Sequence, residues 1–307
     1  MSNTTFSKKA KAVFLTLLAG CLWGTSFPMI KSGLNTIDPF TFVFWRFLVS
    51  SVTLFVIMLL LGKVKFEFPK KKLVIFLGIA NGAGYLLQYA GMPYTTAAEA
   101  ALFINLSAMW VAILSPKLLG EKMSPQKIVG ILFGLVGIVF VSTNLDFAAL
   151  TQGETIADAA LVISGITWAI FMIYNKHALT IAEDSTSATF QVMTWVLFFT
   201  LLSIMPFTVL SGPGFFSLSG WEWGAIIWTG IVCWVIPYYF WLEGLKHLSA
   251  STSTILLLSE IVVAFIGSVA ILKEPTTIFS TIGAFFIIIA IALVSMENQK
   301  LRLGKTE

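Results

Sequence analysis

The chain has 307 residues, 57% of them hydrophobic and 11% charged, with a formal net charge of +4 and a mean hydropathy of +0.91. A soluble chain of this length would form one or two domains, but these values are too apolar for a soluble protein and define an integral membrane protein. The excess Lys and Arg residues fall at the ends of apolar runs and form no basic face, so the lipid bilayer is the expected surrounding and nucleic acid is not an expected partner.

A bilayer core requires about 20 apolar residues per helix. Runs of that kind occupy residues 11–32, 39–61, 73–93, 98–118, 126–144, 157–178, 187–210, 221–244, 250–272 and 277–296. Helices are predicted throughout, because open sheet edges cannot be satisfied in lipid and the alternating pattern of a barrel is absent. With the N-terminus inside, nearly all Lys and Arg residues fall on the inner side, and the outer segments receive only Lys31 and Lys273. That asymmetry predicts a multi-pass protein of the cell membrane with both termini cytoplasmic.

The first run imitates a signal peptide over Lys8 to Gly20. It continues past Cys21 through Trp23 and Pro28, however, and its glycine has a counterpart later in the chain. Leu18–Lys31 aligns with Ile163–Lys176 at an offset of 145, which matches Gly20, Trp23 and Lys31 with Gly165, Trp168 and Lys176. A second block aligns at an offset of 153, matching Tyr85, Gly91, Ala97, Glu121 and Gly130 with Tyr238, Gly244, Ala250, Glu274 and Gly283. The chain is thus predicted to be duplicated, with repeats at 11–144 and 157–296. An odd number of spans per repeat forces the halves to run in opposite directions. The expected fold is all-α, with ten transmembrane helices as two inverted five-helix repeats and a binding site between them at the midplane.

The sequence at this point resembles a known family. Trp23-Gly24 with Phe27-Pro28, Arg46-Phe47, Gly91 with Tyr94-Thr95-Thr96-Ala97, Gly120-Glu121 with Gly130, and Glu260, Glu274 and Gly283 in the second copy are similar to the pattern of EamA-type drug/metabolite transporters. The resemblance covers essentially the whole chain. It implies ten helices in inverted repeats and alternating-access transport of small organic molecules. The family often carries proline directly after the position of Glu260, whereas Ile261 stands here and Ala108 stands in the first copy. No proline is therefore present to break either helix at that point.

Glu260 lies about ten residues from either end of its run, close to the midplane, where an acidic side chain is unfavourable by roughly 2.5–3.5 kcal/mol. A carboxyl at that depth suits exchange of a proton or a cationic substrate, or else serves as a hydrogen-bonded structural group. Ser107 is its counterpart. Asn81, Tyr85 and Gln88 share one face of the third helix, and Trp234, Tyr238 and Trp241 are their counterparts on the eighth. Such stripes either wall a cavity for an amphipathic solute or hold helices together. Trp23 and Trp168 either wall the same cavity or fill the core. Arg46 in the second helix and Glu99 at the start of the fourth lie at similar depth and are expected to pair, either as a structural or gating unit or as a substrate contact. Pro28 and Pro237 fall inside helices, and Glu121 is expected to cap or pair locally.

Function follows by comparison of classes. His177 and His247, the only histidines, lie at helix ends without clustered carboxylates, and no nucleophile elbow or metal motif is present, which disfavours an intramembrane enzyme. A channel calls for repeated subunits around a pore, and a receptor or scaffold has no use for a midplane carboxylate. The expected activity is secondary transport, as an exporter of amino-acid-like or amphipathic metabolites or drugs, with facilitated diffusion as the other mode. No cofactor is expected beyond a coupling proton, and the protein is expected to be a monomer or homodimer.

Overall fold

The computed structural model describes residues 2–62, 71–94, 103–143, 145, 155–181, 186–211, 214–272 and 277–303, and among these every regular element is helical. The elements are α1 (Ser2–Gly24), α2 (Ser26–Gly33), α3 (Pro39–Leu60), α4 (Lys71–Gly91), α5 (Ser107–Leu119), α6 (Pro125–Thr143), α7 (Thr155–Ile181), α8 (Thr186–Ile204), α9 (Gly220–Ile227), α10 (Ile236–Leu245), α11 (Ala250–Leu257), α12 (Ser259–Leu272) and α13 (Ile278–Leu303). Among the described residues, seven helical stretches are long and apolar enough to cross a membrane, and Phe103–Leu119, Pro125–Phe140 and Ile278–Leu293 form shorter apolar helices. Local chemistry sets several ends. Asp38 caps α3 by accepting from the N–H groups of Phe40 and Thr41, both at 3.0 Å, and Ser219 and Glu222 form a capping box on α9.

Several runs are not single straight helices. The first breaks at Thr25, three residues before Pro28, which has no N–H for the Gly24 carbonyl. Ahead of Pro237, residues Trp228–Val235 form a π-helical segment. The run 250–272 is interrupted at Leu258, where the Leu258 N–H bonds to the Ile255 carbonyl at 3.1 Å and the Ile261 N–H bonds to the Leu258 carbonyl at 3.0 Å. A corresponding turn at Leu106 interrupts the helix that continues as α5. Both breaks occur although neither position is followed by proline.

Close packing fixes the positions of these breaks. A β-carbon on Gly20 would lie 3.1 Å from the Leu257 carbonyl oxygen, so α1 rests directly on the backbone where α11 ends. Gly165 in α7 plays the same part, since a β-carbon there would lie 3.2 Å from the Ile104 carbonyl oxygen. Small residues permit this backbone approach, the main source of helix association in lipid. Accordingly α1 packs on α10, α11 and α12, and α7 packs on α4 and α5. The α6 and α13 helices pair with each other, Gly137 of α6 lying against the Gly283 backbone.

Candidate functional site

The broken helices surround an internal cavity lined by Trp23, Arg46, Tyr85, Gln88, Ser107, Trp168, Trp234, Tyr238, Trp241 and Glu260, among others. Nearly every residue that the sequence nominates for the site is therefore brought together. Asn81 is the exception. It is fully buried and donates from Nδ2 to Thr200 Oγ1 at 3.0 Å, while Thr200 donates to the Val196 carbonyl at 2.8 Å. At that depth Gly78 and Gly82 draw α4 against Phe199 and Ser203 of α8, which leaves no room for a cavity. Glu99 lies outside the described residues, and so does its expected pairing with Arg46.

The aromatic wall is locked by its polar tips. Trp234 Nε1 donates to Tyr85 Oη, Tyr238 Oη donates to Asn175 Oδ1, and Trp241 Nε1 donates to Ser253 Oγ, each at 2.9 Å. Ring packing continues the lock, with Trp234 and Tyr238 centroids 4.4 Å apart and Tyr85 edge-on to Trp168 at 4.7 Å. Buried tyrosine and tryptophan normally require such partners. Among the described residues, the buried indole N–H groups of Trp23 and Trp168 have none.

Arg46 is 1% exposed and is held on three sides. Its Nε donates to the Thr229 carbonyl at 3.1 Å, its Nη1 donates to Tyr89 Oη at 3.0 Å, and the guanidinium stacks 4.9 Å from the Tyr85 ring centre. Thr229 belongs to the π-helical segment, so the irregular backbone ahead of Pro237 supplies the acceptor for a buried cation. Arg46 thus joins the cavity wall. The half-buried Glu260 also faces the cavity, and among the described residues its carboxylate makes no hydrogen bond or ion pair. The arrangement offers a carboxyl group, a fixed cation and aromatic rings within one enclosure, which suits a small amphipathic or charged solute.

Of the residues nominated on sequence, four offset-related pairs line this cavity: Trp23 with Trp168, Tyr85 with Tyr238, Gln88 with Trp241, and Ser107 with Glu260. Ser26, Phe27, Phe171 and Met172 also line it and are absent from the nominations made on sequence. They were detectable, because Ser26 and Phe27 align with Phe171 and Met172 at the offset of 145, about one turn beyond the paired tryptophans. The cavity volume is about 80 Å³, below the roughly 300–1,000 Å³ of most small-molecule sites. A solute the size of an amino acid requires it to widen.

Apolar helices of membrane-crossing length around an internal polar and aromatic cavity define a multi-pass membrane transporter. The chain belongs to the EamA-like transporter family, whose model matches residues 10–143 and again residues 155–296. It is 25% identical over 299 residues to an uncharacterized transporter of Archaeoglobus fulgidus, covering 95% of this chain and 99% of that one. It is 24% identical over 288 residues to the uncharacterized transporter YyaM of Bacillus subtilis, covering 92% and 93% of the two chains. A solved crystal structure shares the fold with a TM-score of 0.76 at 19% identity, covering 95% of this chain and 99% of that one.

Proposed function

We propose that this membrane transporter is a secondary transporter that moves small organic solutes, such as amino acids, related metabolites or drugs, by alternating access, and that it works as an exporter. In this reading ten helices span the membrane as two inverted five-helix repeats, residues 11–144 and 157–296, with both termini in the cytoplasm. The observation that carries it is the cavity itself, whose wall is built from offset-related residues of both parts of the chain and contains the Glu260 carboxyl group, which has no hydrogen-bond partner among the described residues. The reciprocal contacts of Gly20 with the Leu257 backbone and Gly165 with the Ile104 backbone support the repeat arrangement. Glu260 is the candidate carrier for a coupling proton or the counter-charge of a cationic substrate.

A thermal-shift screen of the purified protein against amino acids, amines and sugars tests the reading, since a ligand that binds only the folded state raises apparent stability. A hit whose stabilisation disappears on Tyr238→Ala supports it. Stabilisation that survives every cavity substitution sinks it.

A further inference from the structure

One turn before the cavity-lining Thr254, the connection between α10 and α11 is gripped by charged side chains from other helices. Glu121, just beyond α5, accepts from the backbone N–H groups of Ala250 and Ser251 and from the Ser251 hydroxyl, the last at 2.9 Å. Lys176 of α7 donates to the Leu245 carbonyl at 2.6 Å, and Lys127 of α6 donates to Ser249 Oγ at 2.9 Å. The anion thus meets the free N–H groups that open α11, and a cation meets the free carbonyls that close α10, the arrangement both helix ends favour. Glu121 was expected to act locally, yet its partners lie about 130 residues away in sequence.

An apolar plug lies beside this grip. Val111, Ala169, Ile173 and Ala250, each no more than 1% exposed, pack together where α5, α7 and α11 converge. Val111 follows cavity-lining Ala108 by about one turn, and Ala250 precedes Thr254 by one turn. The plug therefore lies along the cavity wall toward the end that Glu121 holds, and Ala250 belongs to both.

We infer that Glu121 is a positioning residue that latches this end of the cavity. Its grip on the first turn of α11 keeps the plug shut, and its release opens the cavity toward residues 245–251. Its purpose rests on the transport reading, because only a cavity that must open at this end needs a releasable hold. Charge-assisted hydrogen bonds to helix ends suit that task, since water can replace them on opening.

The test is the rate at which Ile173→Cys reacts with N-ethylmaleimide in full-length protein reconstituted in lipid nanodiscs, with Cys21→Ala and Cys233→Ala in the background. Adding Glu121→Ala should raise the rate at least about tenfold, the loss expected for a charge-assisted hydrogen bond. Glu121→Asp should restore much of the protection, and Leu54→Cys, fully buried in α3 where that helix packs on α4 and α8, should stay equally slow in both. An unchanged rate at Ile173→Cys in a natively folded Glu121→Ala variant overturns the latch. An equal rise at Leu54→Cys also overturns it, because it means general loosening. If Glu121→Ala does not fold, Ser251→Ala removes one bond of the grip and must raise the rate at Ile173→Cys alone. The labelling reads the latch whether or not solute moves, whereas absence of solute flux in the parent protein would count against the transport reading and leave the labelling result standing.

Discussion

Trp234 donates its indole N–H to the Tyr85 hydroxyl at 2.9 Å across 149 positions of sequence, joining the aromatic stripe of α4 to that of the π-helical segment before α10. The bond fixes both rings at the cavity wall, so its two halves can be separated by mutation. Tyr85→Phe keeps the ring against Trp168 and beneath Arg46 but strands the Trp234 N–H. Thermal unfolding should show a loss of about 1 kcal/mol, typical of an interhelical hydrogen bond in lipid, with solute affinity largely kept. Tyr85→Ala also removes the ring, and ligand titration should then show weakened binding.

Asn81 supplies the contrasting case. Its bond to Thr200 joins α4 to α8 away from the cavity. Asn81→Ala should lower stability by about 1 kcal/mol while leaving solute affinity unchanged. A selective loss of affinity in a protein of unaltered stability would return Asn81 to the site.

Gly20 and Gly165 should tolerate side chains equally badly. Leucine at either position meets backbone, at Leu257 in one case and at Phe103 and Ile104 in the other. Overpacking of this kind costs about 1–3 kcal/mol or more, visible as a lower unfolding temperature and lower folded yield. Gly224→Leu is the control, since a β-carbon there meets nothing within 4 Å. Tolerance of leucine at Gly20 but not at Gly165 would argue against equivalent roles.

The aromatic stripes, the deep tryptophans and the Glu260 carboxylate were legible because helical spacing and a repeat offset are properties of sequence alone. Asn81 shares the helical face of Tyr85, so spacing could not show that Gly78 and Gly82 close α4 onto α8 one turn away. The breaks at Leu106 and Leu258 carry no proline signal. They coincide with the backbone contacts at Gly165 and Gly20, which depend on helices distant in sequence. Glu121 caps a helix as expected, but the N–H groups it caps belong to a helix about 130 residues away, which spacing along its own segment does not reveal.

Orientation is open to direct labelling. In a background lacking Cys21 and Cys233, Phe216→Cys should react with an impermeant thiol reagent on intact cells, whereas Leu61→Cys should not until the membrane is opened. Both side chains are exposed and lie outside the helical segments, so neither is shielded by the rest of the protein. The reverse pattern would invert the proposed topology.

Solute counterflow and pH-driven accumulation in proteoliposomes, compared between the parent and Glu260→Gln, bear most directly on the cavity as the transport site. Glutamine keeps the size and hydrogen-bonding capacity of the side chain but does not titrate. If Glu260 carries a proton, counterflow should persist while pH-driven accumulation is lost. If it is the counter-charge, transport of cationic solutes should fall while neutral ones are spared. Normal transport by Glu260→Gln across pH and across solute charge would contradict a functional role for Glu260 and leave only the aromatic wall to define the site.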